Sequence, residues 1–238
     1  MRNLKDQTIP TCESCLSRSD SAFSVLTRDE QERFTEEKGC NFYKRGQVLF
    51  TEGSQPSGLY CINEGKIKLF KPGPSGRDQI LKLCGKGEII GYGTLLSGES
   101  HNSTAEALEE ATVCFIPKNI FLETIRLNVN LHKNIKSLLC KDVRDTENNL
   151  IKLSQKQVRE RVAETLLIIK EKFGYKEDGM TLDINLTREE IANVVGTATE
   201  SVIRLLSEFQ KNGMIKLNNR SVQIINCQKL FREANLSA

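Results

Sequence analysis

The stretch from Asn185 to Leu217, NLTREEIANVVGTATESVIRLLSEFQKNGMIKL, constrains the fold more than any other, because start, turn and stop signals for two helices all sit within it. Thr187 is followed three residues on by Glu190, so the Thr hydroxyl can accept from a free amide while the carboxylate caps the Thr187 backbone in return. Ile191, Val194 and Val195 then give one apolar face. Gly196 comes next, and glycine lets a chain leave a helix through positive φ and turn sharply. A second helix restarts between Thr197 and Thr199 and carries Val202, Leu205, Leu206 and Phe209 at i, i+3, i+4 and i+7, until Asn212-Gly213 stops it. Two short helices joined by a tight glycine turn are a helix-turn-helix, whose second helix presents its N-terminal residues to a major groove.

The outward residues of that second helix are Thr197, Thr199, Glu200, Ser201, Ile203, Arg204, Glu208 and Lys211. Glu200 and Arg204 lie one turn apart, so a carboxylate that accepts from cytosine and a guanidinium that clamps guanine would address neighbouring base pairs. An ordinary exposed i, i+4 ion pair is the alternative; at the mouth of a helix-turn-helix, base reading is the stronger expectation. Downstream, MIKLNNRSVQII alternates apolar residues on either side of Asn218-Asn219 and predicts a hairpin with a primed turn. Lys216 and Arg220 on this small wing suit phosphate contacts, which position without specifying. Helix-turn-helix plus wing, with ESVIRLLSEFQKNGMI as the second helix, resembles the CRP/FNR family of bacterial transcription regulators. The Glu-x-x-x-Arg pair, the Leu-Leu, the Phe and the Gly-Met-Ile stop all fall in the family's places. The resemblance implies that Glu200 and Arg204 set half-site identity, with Thr187, Thr197, Thr199, Ser201 and Lys211 nearer the phosphates.

Composition sets limits on this reading. With 38% hydrophobic and 27% charged residues over 238, the chain is globular and long enough for one large or two ordinary domains. The formal charge is only +3; residues 151–238 hold 14 basic against 11 acidic side chains and the remainder 20 against 20. DNA affinity must therefore come from local placement, not bulk charge. No run of roughly 18 apolar residues occurs and MRNLKDQTIP lacks an apolar signal core, so no membrane contact and a cytoplasmic location are expected. Eight cysteines in a reducing compartment would be thiols, metal ligands or redox centres, not a disulfide framework.

Upstream, residues 22–36 look helical, with Leu26 and Phe34 on the apolar side. From Cys40 to Pro117 the texture changes to short alternating runs: Gln47 to Phe50, Leu59 to Ile62, Lys66 to Phe70, Gln79 to Leu83, Glu88 to Ile90 and Thr112 to Ile116. Eleven of the 16 glycines lie between Gly46 and Gly98, the punctuation of a compact antiparallel structure with many tight corners. Such a sheet closes on itself. It resembles the β-roll sensor domain of the same family, YKRGQ through EG matching the opening strands.

Ile125 to Leu153 has no Gly or Pro, and Leu131, Ile135, Leu139, Val143, Thr146, Leu150 and Leu153 recur at spacings of four and three, a seam of coiled-coil type. It stands where the family has its dimer helix, implying a homodimer on an inverted repeat in double-stranded DNA, with RNA polymerase as a further partner. Leu153 to Lys156 is expected to be the hinge, 158–173 a helix, 180–184 a strand and 228–235 a short helix. The fold expected is α+β: an N-terminal arm and antiparallel β-roll of cyclic-nucleotide-binding type (1–124), a long dimerisation helix (125–153) and a C-terminal winged helix-turn-helix (154–238).

What the roll senses is read residue by residue. Cyclic-nucleotide receptors of the family use a Gly-Glu-Leu-Gly carboxylate for the ribose and an Arg-Ser for the phosphate; here Tyr92 stands for the Glu and Asn102 for the Arg, and only Ser103 survives. An amide cannot replace a bidentate guanidinium. The FNR branch holds a [4Fe-4S] cluster on N-terminal cysteines plus one before an Ile-Pro in the roll. Cys12 and Cys15 match two of those places and Cys114 the third, but Ser21 occupies the remaining one, leaving Asp20 or Cys40 as fourth donor. A thiol switch at Cys12 and Cys15 is the rival, with Cys61, Cys84, Cys114 and Cys140 as small apolar core residues. His101 and His132 read as ordinary surface or core residues rather than haem ligands. An oxidoreductase would need Cys-x-x-C at a helix N-terminus after a strand, and Cys12 has no strand before it. A regulator, not an enzyme, is the reading.

Overall fold

The computed structural model describes residues 11–15, 17–19, 21–74 and 76–236. Two compact units account for it: the first takes the described chain up to Ile67 and then Cys84–Asp142, the second Lys68–Leu83 and everything described from Val143 on.

In the first unit a single 3-10 turn, Ala22–Val25, precedes helix α1, Arg28–Glu37. The expected single helix over 22–36 is thus broken, because Thr27 and Glu30 form a reciprocal capping box that starts a new helix after the extended Leu26. The strands are β1 (Gly39–Tyr43), β2 (Val48–Phe50), β3 (Gly58–Glu64), β4 (Ile67–Pro72), β5 (Asp78–Cys84), β6 (Ile89–Ile90), β7 (Thr104–Ala107) and β8 (Ala111–Pro117), with a short helix α2, Tyr92–Ser97, between β6 and β7. One antiparallel sheet has the order β1-β8-β3-β6, β2 pairs antiparallel with β7, and β4 neighbours β5. The expected antiparallel β-roll is present. Strands β1 and β7 and helix α2 were not legible in the alternation. Residues TAEA offer four small or polar side chains, and α2 is six residues held between two left-handed glycines, Gly91 and Gly98, too short to show a helical period.

Helix α3 (Lys118–Leu127) is followed by α4 (Val129–Gln155), so the expected uninterrupted helix from Ile125 is divided at Asn128. The Asn128 side chain accepts from the Leu131 amide at 2.9 Å and donates to Val25 O and Glu30, a cap that starts α4 afresh. One core unites Phe23, Phe34, Leu59, Cys61, Ile116 and Phe121 with Leu131 and Ile135. These last two are 0% and 1% exposed. Leu131 and Ile135, expected in the dimer seam, are thus covered by residues of this chain itself.

In the second unit α4 continues through the expected hinge to Gln155, and the chain breaks at Lys156-Gln157 instead. There Gln157 caps α5 (Val158–Phe173), and Lys152 and Lys156 both reach the buried carboxylate of Glu164 at 2.9 Å. Residues 180–184 form no strand of their own; isolated bridges Tyr175↔Leu182 and Thr181↔Gln223 hold them. Helices α6 (Arg188–Val195) and α7 (Thr199–Lys211), strands β9 (Ile215–Asn218) and β10 (Ser221–Ile224) and helix α8 (Cys227–Glu233) complete the winged helix-turn-helix. No described helix is long and apolar enough to cross a membrane.

Candidate nucleic-acid interface and sensor

The reading head is built from its caps inward. Thr187 Oγ1 accepts from the Glu190 amide at 3.0 Å and Glu190 accepts from the Thr187 amide at 2.7 Å, closing the box the spacing predicts. Gly196 leaves α6 at φ 72°, where its amide reaches back to Ala192 O. Helix α7 then buries Val202, Leu205, Leu206 and Phe209 and turns Glu200, Ile203, Arg204 and Lys211 to solvent, with Thr197, Thr199 and Ser201 half-buried around its start.

Arg204 pairs with Glu208 at 3.1 Å, not with Glu200, so the ion pair weighed as the alternative runs one turn further along the helix. Glu208 is also bonded by Arg159, which grips Glu233 of α8 and lies 5.1 Å over the Phe209 ring. Glu208 is thus anchored from behind, while the Arg204 side chain stays 68% exposed. The wing is moored to both helices: Arg188 on α6 donates to Asn219 O at 2.9 Å, and Gln210 on α7 accepts from the Leu217 amide at 2.8 Å. Arg159, Arg188 and Gln210 carry no sequence signal of these roles, since each partner is reached only after the chain has folded back. Pairing of Asn218 with Ser221 puts Asn219 and Arg220 in the turn, one residue beyond the expected centre, and only Asn219 has positive φ, 51°. A primed turn of type I′ would need it at both. Lys216 and Arg220 are exposed.

Around α2 of the β-roll the polar groups are bonded within the chain. The Tyr92 hydroxyl donates to the Asp142 carboxylate on α4; burial first, and this bond second, raise the phenol above its ordinary range. His101 is buried, stacked 3.9 Å from the Phe50 ring and bonded to Thr94 Oγ1, and burial lowers its pKa. Asn102 is exposed and Ser103 buried. Where the resemblance puts the carboxylate and the guanidinium that hold the nucleotide stand Tyr92 and Asn102, neither of them charged.

The cysteines are brought together by register. Cys114 faces Cys40 across β1/β8 and Cys61 across β8/β3, so the three side chains share one sheet face. Cys40 Sγ and Cys114 Sγ are 2.7 Å apart. The hydrogen bond from Cys114 lowers Cys40 to about 7, with Lys38 adding to the effect, and the same bond and burial hold the Cys114 thiol up. Burial pushes the Cys61 thiol to about 12, with the Cys15 and Cys12 thiols contributing. Cys15 donates to Asn63 Oδ1 at 3.4 Å, and the Cys12 amide donates to Thr35 Oγ1. Among the described residues no group of three or more His, Cys, Asp or Glu is placed to hold a metal ion. Of the expected cluster ligands, Cys15 donates to Asn63 and Cys114 lies against Cys40, and Asp20 lies outside the described residues. Cys61, Cys84 and Cys114 are buried as expected of core thiols, but Cys140 is exposed on α4.

Residues 40–128 match the family model of the cyclic nucleotide-binding domain, and residues 160–233 that of the Crp-like helix-turn-helix domain. The chain is 31% identical over 193 residues to a CRP-like cAMP-activated global transcriptional regulator of Mycobacterium tuberculosis, covering 81% of this chain and 86% of that one. It is 29% identical over 195 residues to the fumarate and nitrate reduction regulatory protein of Vibrio cholerae, covering 82% and 78%. Among solved structures, FixK2 from Bradyrhizobium japonicum shares the fold with a TM-score of 0.76 at 23% identity, over 84% of this chain and 99% of that one.

Proposed function

This chain belongs to the CRP/FNR family of transcription regulators, with a DNA-binding helix-turn-helix, and we propose that it acts as a homodimer reading an inverted repeat through α7 under control of its β-roll. The observation that carries the reading is α7 itself. One face is fully spent on the core of its unit, and the other sets a carboxylate and an exposed guanidinium one turn apart at the end that enters a groove. Thr187, Thr197, Thr199, Ser201, Lys211, Lys216 and Arg220 supply hydroxyls and cations suited to phosphates.

Dimerisation rests on the second half of α4. Leu139, Val143, Leu150 and Leu153 are exposed at spacings that continue a four-three seam, with Val143 58% and Leu150 68% exposed. A helix face this apolar is stabilised by a second copy. RNA polymerase is the further partner of such a regulator. For the signal, the missing arginine argues against a cyclic nucleotide, and a [4Fe-4S] cluster would need Cys12, Cys15 and Cys114 drawn together from their present partners.

The experiment is selection of bound sequences from random duplex DNA, followed by analytical ultracentrifugation of the wild type and Val143→Glu. A two-fold symmetric consensus bound by a dimer, with Val143→Glu monomeric and at least tenfold weaker on that consensus, is the expected result. An asymmetric consensus, or a dimer undisturbed by Val143→Glu, would overturn it.

A further inference from the structure

We propose that Cys40 and Cys114 are a cross-strand dithiol that closes into a disulfide when a peroxide-class oxidant reaches Cys40, an oxidation site distinct from the Cys12/Cys15 pair. The inference stands on the β-roll alone and not on the DNA-reading assignment.

The geometry is set by the sheet. Cys40 of β1 lies directly opposite Cys114 of β8. Opposed residues of an antiparallel pair have Cα atoms roughly 4.5 to 5.5 Å apart, inside the disulfide window of about 4.4 to 6.8 Å. The sulfurs are already 2.7 Å apart. Reaching a bond of about 2.05 Å takes side-chain rotation and no strand movement.

The two thiols differ in access. Cys114 is 5% exposed, whereas Cys40 is only partly buried on β1, at the edge of the sheet. The oxidant therefore meets Cys40 first. The Cys40 thiolate attacks one oxygen of the peroxide, the O–O bond breaks, and Cys40 becomes a sulfenic acid while the other oxygen leaves as an alkoxide that is protonated to the alcohol, or as water from hydrogen peroxide. Cys114 sulfur then attacks the Cys40 sulfur; the S–O bond breaks, the S–S bond forms, and the departing hydroxide takes the Cys114 proton as water. Two thiols lose two electrons and two protons, and one peroxide is reduced.

The bond would tie together two chain segments that carry helices. Only Lys38 and Gly39 separate α1 from Cys40, and β8 runs directly into α3. Arg33 on α1 already pairs with Glu123 on α3 at 2.5 Å, so the disulfide would add a covalent link beneath an existing contact. It would also remove Cys114 from any metal-ligand set.

The test uses the full chain, purified in reductant without oxygen, exposed to hydrogen peroxide, then alkylated, digested and mapped by mass spectrometry. The wild type should yield a peptide pair joined through Cys40 and Cys114 and released by dithiothreitol. The same pair should form in the Cys12→Ser/Cys15→Ser double variant. In Cys114→Ser, Cys40 should persist as a sulfenic acid trapped by dimedone; if that variant does not fold, the wild-type map decides alone. Oxidation confined to Cys12–Cys15 with Cys40 and Cys114 both alkylated, or a Cys61–Cys114 link instead, would overturn the proposal. Binding of the reduced protein to DNA, measured in parallel, bears on the regulator reading only.

Discussion

Helix α7 and the surroundings of α2 dispose of their polar groups in opposite ways. Around α7 the polar groups face outward: Glu200, Arg204 and Lys211 are exposed, and the one anchored carboxylate, Glu208, is held by Arg159 from behind. Around α2 they face inward: Tyr92 bonds Asp142, and His101 lies flat on Phe50 with its ring nitrogen on Thr94. A surface that must read a partner leaves hydrogen-bonding capacity unspent, whereas a region that satisfies its own groups has little to offer a charged ligand. The family's nucleotide-binding fold is thus retained here without the arginine that would hold a phosphate.

Two substitutions probe that contrast and a third, at Asp178, lies outside both regions; the largest effect belongs to the buried side of α7. Phe209 is fully buried. Phe209→Ala should cost about 3 to 5 kcal/mol in urea unfolding, and a loss under 1 kcal/mol would mean that α7 does not depend on that packing. Around α2, Tyr92→Phe removes only the hydroxyl that bonds Asp142, and should lower stability by about 1 to 2 kcal/mol. If it also created binding of a cyclic nucleotide, measured calorimetrically, the inward-facing description would be broken. The smallest effect concerns Asp178, whose carboxylate is held at about 2 by bonds from the Thr181 hydroxyl and the Thr181 and Met180 amides. A carboxylate depressed in the folded state stabilises above its unfolded value, near 3.8, and that contribution is lost as pH falls from there through about 2. Acid unfolding of Asp178→Asn should therefore lack part of the wild-type pH dependence in that window and match the wild type's dependence above it.

How much of this could be read from the chain depended on distance along it. The Thr187/Glu190 box, the Gly196 turn and the apolar stripe of α7 involve neighbours within one or two turns, and each was legible. The wing's existence was also legible, but its turn sits at Asn219-Arg220 because strand pairing, not the Asn-Asn dipeptide, fixes register. In α4 the four-three spacing located the apolar residues without saying what covers them; Leu131 and Ile135 pack under α1 residue Phe34 and its neighbours, and only the seam from Leu139 on is exposed. Cysteine spacing drew attention to Cys12 and Cys15, whereas Cys40 and Cys114, 74 residues apart, meet only through the pairing of β1 with β8. Arg159 and Arg188 are likewise anonymous in the sequence, because their partners Glu208 and Asn219 lie far along the chain.

The most direct measurement of base reading by α7 is binding of wild type and Arg204→Ala to the selected consensus and to a scrambled duplex at one fixed salt concentration. The exposed guanidinium predicts a loss of about 1 to 3 kcal/mol, roughly 5- to 150-fold, on the consensus alone, with preference relaxed at one base pair of each half-site. Equal losses on consensus and scrambled DNA would make Arg204 a phosphate contact and contradict the assignment of α7 as the helix that reads sequence through it.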